Sequence, residues 1–206
     1  MSALKEAKKQ LRKQIKAQLK TISQESLITQ SSEIHQNLQT HEYFQNANHI
    51  AVFMNMPDSE VKTREIIKSC FELGKNVYLP RCNYTPIPGR KKNYMSMIKM
   101  PSWESVLELK PQGKYQLLEP LSGEDAMDTG NLELIIVPGV AFDKNKHRMG
   151  HGAGFYDEFI TTFTKNHNTR PRLLGVSLEE QMLDNVPTED HDWKLDSIIT
   201  PSSIIY

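Results

Sequence analysis

Leu134-Ile135-Ile136-Val137 is apolar at every position and runs straight into Pro138–Gly139. A strand with no polar face has to be covered on both sides, which in α/β proteins means a sheet between layers of helix. Leu132–Val137 is therefore the most clearly marked strand of the chain. His49–Met54 is a second apolar run, ending in a loop with Pro57 and Asp58. Val77–Leu79, stopped by Pro80, reads as a further strand, as do Tyr94–Met100, Leu173–Ser177 and Ser197–Thr200. Helical patterns alternate with them. Leu4, Leu11, Ile15, Leu19 and Ile22 share one face of a first helix, and Glu25–Leu38 continues as a second. A third is capped by Thr63 and closed by Gly74, and Tyr156–Thr164 forms a fourth. This alternation predicts an α/β fold with a largely parallel sheet covered on both faces, the two N-terminal helices being extra cover. Ligands of such sheets sit at the carboxyl ends of strands, which points to the loops after Met54 and Val137.

At 206 residues the chain is expected to be one domain, 1–206, large enough to fold without disulfide or metal. Cys70 and Cys82 are the two cysteines, too few for a secreted scaffold or a four-ligand zinc site. No aliphatic run approaches membrane-spanning length. With 25 basic and 25 acidic residues the net charge is zero, which argues against a protein that coats nucleic acid. The expectation is a soluble cytoplasmic monomer with no membrane and no nucleic-acid partner. The charge is nevertheless uneven, because Leu4–Lys20 carries seven basic residues against Glu6 alone. Three readings fit: the solvated face of a packed helix, a mitochondrial presequence, or a rim pair, Lys8 and Arg12, turned toward an anion.

The loop after Val137 is the most informative stretch. Gly150, Gly152 and Gly154 alternate with His151 and Ala153, Arg148 precedes them, and Phe155-Tyr156-Asp157 follows. Alternating glycines free the backbone to turn its N–H groups on an anion, and a helix starting just after Gly154 adds its dipole. The pattern lacks the Gly-Lys-Ser/Thr ending of a Walker loop and the spacing of a dinucleotide fingerprint. No Gly-x-Ser-x-Gly elbow is present, and His147 with His151 lacks the glutamate of a helical zinc pair. Arg148 offers a cation for phosphate and Asp157 a carboxylate for a metal. On these residues alone, a sugar-phosphate isomerase or acyltransferase, or a noncatalytic nucleic-acid-binding protein, remains open.

Taken together, the motifs resemble those of the 5-formyltetrahydrofolate cyclo-ligase (5,10-methenyltetrahydrofolate synthetase) family. They are Lys8-Lys9-Gln10-Leu11-Arg12, Phe53-Met54 with Glu60-Val-Lys-Thr63, Leu79-Pro-Arg81, Pro138–Asp143 with Arg148–Asp157, and Val186-Pro187 with Asp192-x-x-x-Asp196. The resemblance implies a three-layer α/β/α sandwich and an ATP- and Mg²⁺-dependent ligase. The formyl oxygen of 5-formyltetrahydrofolate would take the γ-phosphoryl group, N10 would attack the activated carbon, and phosphate would leave. It also implies that ATP is held by Lys8, Lys9, Gln10, Leu11 and Arg12 together with Arg148, Met149, Gly150, His151, Gly152, Ala153, Gly154, Phe155 and Tyr156. Met54, Glu60, His151, Gly152, Ala153, Gly154 and Phe155 would bind the folate. Arg148 and Tyr156 would be catalytic, and Asp157 and Asp192 would hold Mg²⁺. The sequence departs from the family at three places. His151 and Ala153 stand where Arg and Lys are common, and Phe155 where Tyr is usual. If His151 takes the arginine's place beside the triphosphate, ATP binding is expected to weaken as pH rises.

Overall fold

The computed structural model describes residues 3–56, 60–112 and 116–206; the loop expected at Pro57 and Asp58 lies outside them. The chain opens with α1 (Ala3–Leu19), α2 (Gln24–Thr40) and the short α3 (Glu42–Asn46). β1 (His49–Val52), α4 (Arg64–Glu72), β2 (Asn76–Asn83) and β3 (Tyr94–Met100) follow. Next come α5 (Trp103–Leu107), the pair β4 (Pro111–Gln112) and β5 (Leu117–Leu118), and α6 (Ala126–Thr129). Then come β6 (Leu134–Val137), β7 (Ala141–Asp143), β8 (Arg148–Met149) and α7 (Phe155–His167). β9 (Arg172–Val176), a 3₁₀ turn at Glu179–Gln181, β10 (Met182–Leu183), β11 (Ser197–Ile199) and β12 (Ile204–Ile205) complete the chain.

Seven strands form the main sheet in the order β12-β11-β9-β6-β1-β2-β3. Its inner strands are parallel, and only the edges β3 and β12 run antiparallel. β6 lies in the middle, and its apolar run alternates between two cores. Leu134 and Ile136 pack under α1, α2 and α4, whereas Ile135 and Val137 pack under α6 and α7. Each such fully buried aliphatic side chain contributes about 1.5–3 kcal/mol of transfer free energy. The result is the expected three-layer sandwich, with α1 and α2 covering the same face as α4. Among the described residues no helix is long and apolar enough to cross a membrane.

Two local expectations change. Pro80 does not stop its strand, because β2 runs on to Asn83. β1 pairs with β2 only as far as Tyr78 while β3 pairs along its whole length, so one edge of β2 is free at Pro80 and tolerates a residue without N–H. Thr63 occupies the start of α4 but makes no side-chain cap. It is fully buried, and its Oγ1 donates instead to the Phe53 carbonyl at 2.7 Å, while its N–H donates to Asn55 Oδ1 at 3.1 Å. A buried carbonyl just past the end of β1 needs a donor more than a helix end near solvent does. Several elements had no sequence signal strong enough to name them: α3, α5, α6, the β4–β5 pair, β12 and the small sheet β10-β7-β8.

Topology fixes where a ligand can enter. From β1 the chain builds outward through β2 and β3; from β6 it builds the other way through β9 and β11. The crevice at the carboxyl ends of β1 and β6 is thus the switch point of the sheet. The β7–β8 hairpin stands beside it, organised by Asp143. This fully buried carboxylate accepts from the N–H groups of Asn145 (2.9 Å), His147 (3.1 Å) and Val186 (2.9 Å), and His147 Nδ1 lies 3.1 Å away. Burial pushes its carboxyl up, but the bonds from Val186 and His147 outweigh burial and hold it below the usual value of 3.8. Asp143→Ala is expected to lower the unfolding free energy by about 3 kcal/mol or more in urea melts at pH 7. A depressed carboxyl contributes stability that is full above its unfolded value and is lost as pH falls through its folded value. The gap between the two proteins should therefore shrink below pH 3.8; a gap unchanged into acid would refute the role assigned to the ionised group.

Candidate active site

A cleft of about 390 Å³ opens at the switch point. Phe53 and Met54, just beyond β1, form one wall; Pro80 and Cys82 of β2 form another; and the glycine loop between β8 and α7 closes the third side. Met54 and Glu60 are buried in it. The two loops singled out from strand ends thus meet, although they are far apart in sequence.

The glycine loop is pinned at both ends by one ion pair. Arg148 Nη2 donates to Asp157 Oδ2 at 2.9 Å, and Nη1 donates to the Pro138 carbonyl at 3.3 Å. Its Nε is buried without a hydrogen-bond partner among the described residues. Gly152 has φ +107° and Gly154 +70°, conformations that side chains rarely adopt. Arg12 fills the space against Gly152, since a Cβ there would stand 3.4 Å from its Cζ. Gly154 is the N-cap of α7 and has no side chain to cap it, which leaves the first turn's N–H groups available to an anion. Asp157 and Glu158 in that turn do not repel one, because Arg148 and Arg90 are bonded to them at 2.9 Å and 2.6 Å.

α1 delivers two cations. Lys8 is buried, with Nζ 2.9 Å from Glu189 Oε2 and 2.5 Å from Asp192 Oδ2. Arg12 Nε donates to the Gly150 carbonyl at 2.8 Å. Their i, i+4 spacing puts them on one face. Lys9 and Gln10 turn outward to Glu6, and Leu11 packs on the core, so the helix brings two of the five residues Lys8–Arg12 to the site. Met149 likewise belongs to the core. Asp157 and Asp192 are brought close, since the N–H of Trp193 donates to Asp157 Oδ1 at 3.1 Å. Burial raises the Asp192 carboxyl, but hydrogen bonds from Lys8 and from the Glu189 N–H outweigh it and hold the group below the usual range. Two of the cations expected on phosphate, Lys8 and Arg148, are thus bonded to the carboxylates expected on metal, Asp192 and Asp157.

His151 points elsewhere. Its Nε2 is 3.0 Å from Glu60 Oε1, and the other Glu60 oxygen accepts from the Met56 N–H at 2.7 Å. That arrangement ties His151 to the β1 side of the cleft rather than to the cations of α1. Phe155 and Tyr156 line the cleft while packing against the core below α7. Burial, with Glu60 nearby, pushes the Tyr156 phenol up, so it stays a neutral donor; Arg148, 5.6 Å from its ring, opposes that shift. Ala153 also lines the cleft, together with residues outside the quoted motifs, among them Lys16, Cys82, Tyr84 and Glu119. Glu189, bonded to Lys8, was passed over too, although it lies in the same acidic stretch as Asp192. Cys82 directly follows the quoted Leu79-Pro-Arg81, whereas Glu119 has no neighbouring motif.

Known proteins share this chain's pattern end to end. A model of the 5-formyltetrahydrofolate cyclo-ligase family matches residues 4–201. The 5-formyltetrahydrofolate cyclo-ligase of Saccharomyces cerevisiae is 37% identical over 207 residues, covering 97% of each chain. That of Mus musculus is 32% identical over 200 residues, covering 96% of this chain and 95% of its own. The NMR structure of Aquifex aeolicus 5,10-methenyltetrahydrofolate synthetase matches the fold with a TM-score of 0.73 at 23% identity, covering 96% of this chain and 91% of that one. With its motifs, its sandwich and its sequence matched over nearly the whole length, this chain belongs to the 5-formyltetrahydrofolate cyclo-ligase family.

Proposed function

We propose that the protein closes 5-formyltetrahydrofolate to 5,10-methenyltetrahydrofolate at the expense of ATP, with Mg²⁺, releasing ADP and phosphate. The observation that carries this reading is Arg148. It is a buried guanidinium with an unpartnered Nε, set between a glycine loop and a carboxylate-bearing cleft. The formyl oxygen attacks the γ-phosphorus of ATP and ADP departs. N10 then attacks the formyl carbon, loses its proton and expels phosphate as the methenyl bridge forms. Phosphorylation is needed because hydroxide would otherwise have to leave. Such a reaction asks a protein chiefly for positioning and charge neutralisation.

In this reading Lys8, Arg12, Arg148 and the Gly150–Gly154 backbone hold the nucleotide, and Met54, Glu60 and Phe155 hold the folate. Arg148 and Tyr156 face the transferring group, one as a fixed cation and the other as a neutral hydroxyl donor. Asp157 and Asp192 suit Mg²⁺, which takes one or two carboxylates and fills its shell from phosphates and water. Among the described residues no group of three or more metal-binding side chains converges. The ion, when bound, supplies charge neutralisation on the phosphates. Lys8 and Arg148 would then release Asp192 and Asp157 and turn to the phosphates, one set of ion pairs replacing another. The reading takes residues 1–206 as one catalytic domain, since Lys8 and Asp192 meet from opposite ends of the chain, and takes the protein to act as a monomer.

The test is direct. Purified protein with Mg²⁺, ATP and 5-formyltetrahydrofolate should produce the conjugated methenyl product, seen as rising near-UV absorbance; no rise, with ATP intact, refutes the reading. In the same assay Asp157→Asn should lower kcat/KM about a hundredfold, most severely at limiting Mg²⁺. Loss independent of Mg²⁺ would mean that Asp157 serves only Arg148.

A second measurement separates the cations of α1 from its packing. Lys8→Ala and Arg12→Ala should each raise KM for ATP far more than KM for the folate, and high salt should mimic the change. Equal losses for both substrates with a lower Tm would assign these side chains to stability alone.

A further inference from the structure

Glu119 follows β5, outside every motif, and yet its side chain faces the cleft. It is held there from β2. The N–H of Cys82 donates to Glu119 Oε1 at 3.0 Å, on a stretch of β2 that β1 no longer pairs. Burial and the neighbouring Glu119 push the Cys82 thiol up to about 12, so it remains S–H, a weak donor beside the carboxylate. Met54, Met56, Met95 and Leu117 make much of the surrounding wall apolar. An ionised carboxylate set against such a wall is costly unless donors meet it. Glu60 has His151 and the Met56 N–H, whereas the peptide N–H of Cys82 and a thiol are weaker company for Glu119.

We propose that Glu119 is a second folate-recognition residue, its carboxylate accepting ring N–H donors of the reduced pterin from the β2 wall while Glu60 serves the β1 side. The ligand chemistry fits. A reduced pterin presents a 2-amino group, N3–H and N8–H, donors that point in more directions than one carboxylate can face, and Glu60 already accepts from the Met56 N–H and lies against His151. Parallel N–H donors to a carboxylate form charge-assisted bonds, stronger than those between neutral partners. Two carboxylates on opposite walls would fix the ring's orientation, and with it the direction in which the formyl oxygen faces the nucleotide side.

The proposal rests on the cyclo-ligase reading, so binding is measured directly rather than through turnover. Intact protein is titrated with 5-formyltetrahydrofolate without ATP, and separately with MgATP. Glu119→Ala should raise Kd for the folate about 10- to 100-fold and leave Kd for MgATP within about twofold. Glu119→Gln, which keeps one oxygen acceptor, should recover part of that loss, and it carries the test by a smaller rise in folate Kd if Glu119→Ala does not fold. Variants that bind the folate as tightly as the wild type would overturn the proposal. So would a parallel loss of both ligands with a lowered Tm, which marks a structural role. Wild-type protein that fails to bind the folate at all would instead overturn the cyclo-ligase reading, and this inference with it.

Discussion

Arg148 leaves 4% of its side chain exposed, and a charge taken that far from water has to be met. Asp157 meets it, and the pair joins β8 to the first turn of α7 with the whole glycine loop between them. Three glycines would otherwise leave that stretch with too much conformational freedom to hold any ligand. The adjacent Glu158 is bonded through both oxygens to Arg90, whose side chain is equally buried. Two acidic residues at a helix N-terminus complement its dipole but would also repel a phosphate. With an arginine on each, the repulsion is cancelled and the open N–H groups remain.

The rest of the site is fastened to that loop from the two ends of the chain. Arg12 bonds the Gly150 carbonyl from α1, and Trp193 bonds Asp157 from the C-terminal segment. Lys8 closes the ring by binding Asp192 and Glu189. Asp143 makes this possible at a distance. It holds the hairpin that presents Arg148 and also the N–H of Val186, where the segment toward Asp192 begins. A site built this way holds Lys8, Arg148 and Arg90 on carboxylates and Arg12 on a backbone carbonyl. It suits a ligand that brings both signs of charge together.

What the sequence made legible was whatever short-range periodicity controls. The apolar run of β6, the alternation of strands with helices and the phases of α1 and α2 all follow from residues a few positions apart. The glycine loop stood out because its composition is unusual, and the strand-end rule located the cleft from connectivity alone. Pro80 and Thr63 depart from their local patterns because their roles depend on partners elsewhere: an unpaired edge in one case and a buried carbonyl just past the end of β1 in the other. The resemblance sets His151 beside the triphosphate if it takes the arginine's place, and its Nε2 lies 3.0 Å from Glu60 Oε1, a contact that no local pattern announces. Glu119 could not be seen, because what makes it notable is the Cys82 N–H it accepts, 37 residues away.

Local sequence thus determined the elements, the class of sheet and the segment able to bind an anion, because helix and strand periods and glycine content act over a few residues. Only the tertiary structure decided which charges are paired. Lys8, Arg148, Asp157 and Asp192 each read as an isolated ionisable residue in the chain. Packing α1 against the C-terminal segment, and β8 against α7, removes them from water, and burial then dictates that they bind one another. Which wall of the cleft a side chain faces was decided in the same way. That depends on where strand edges end and which backbone groups are left without partners, quantities that exist only once the sheet has formed.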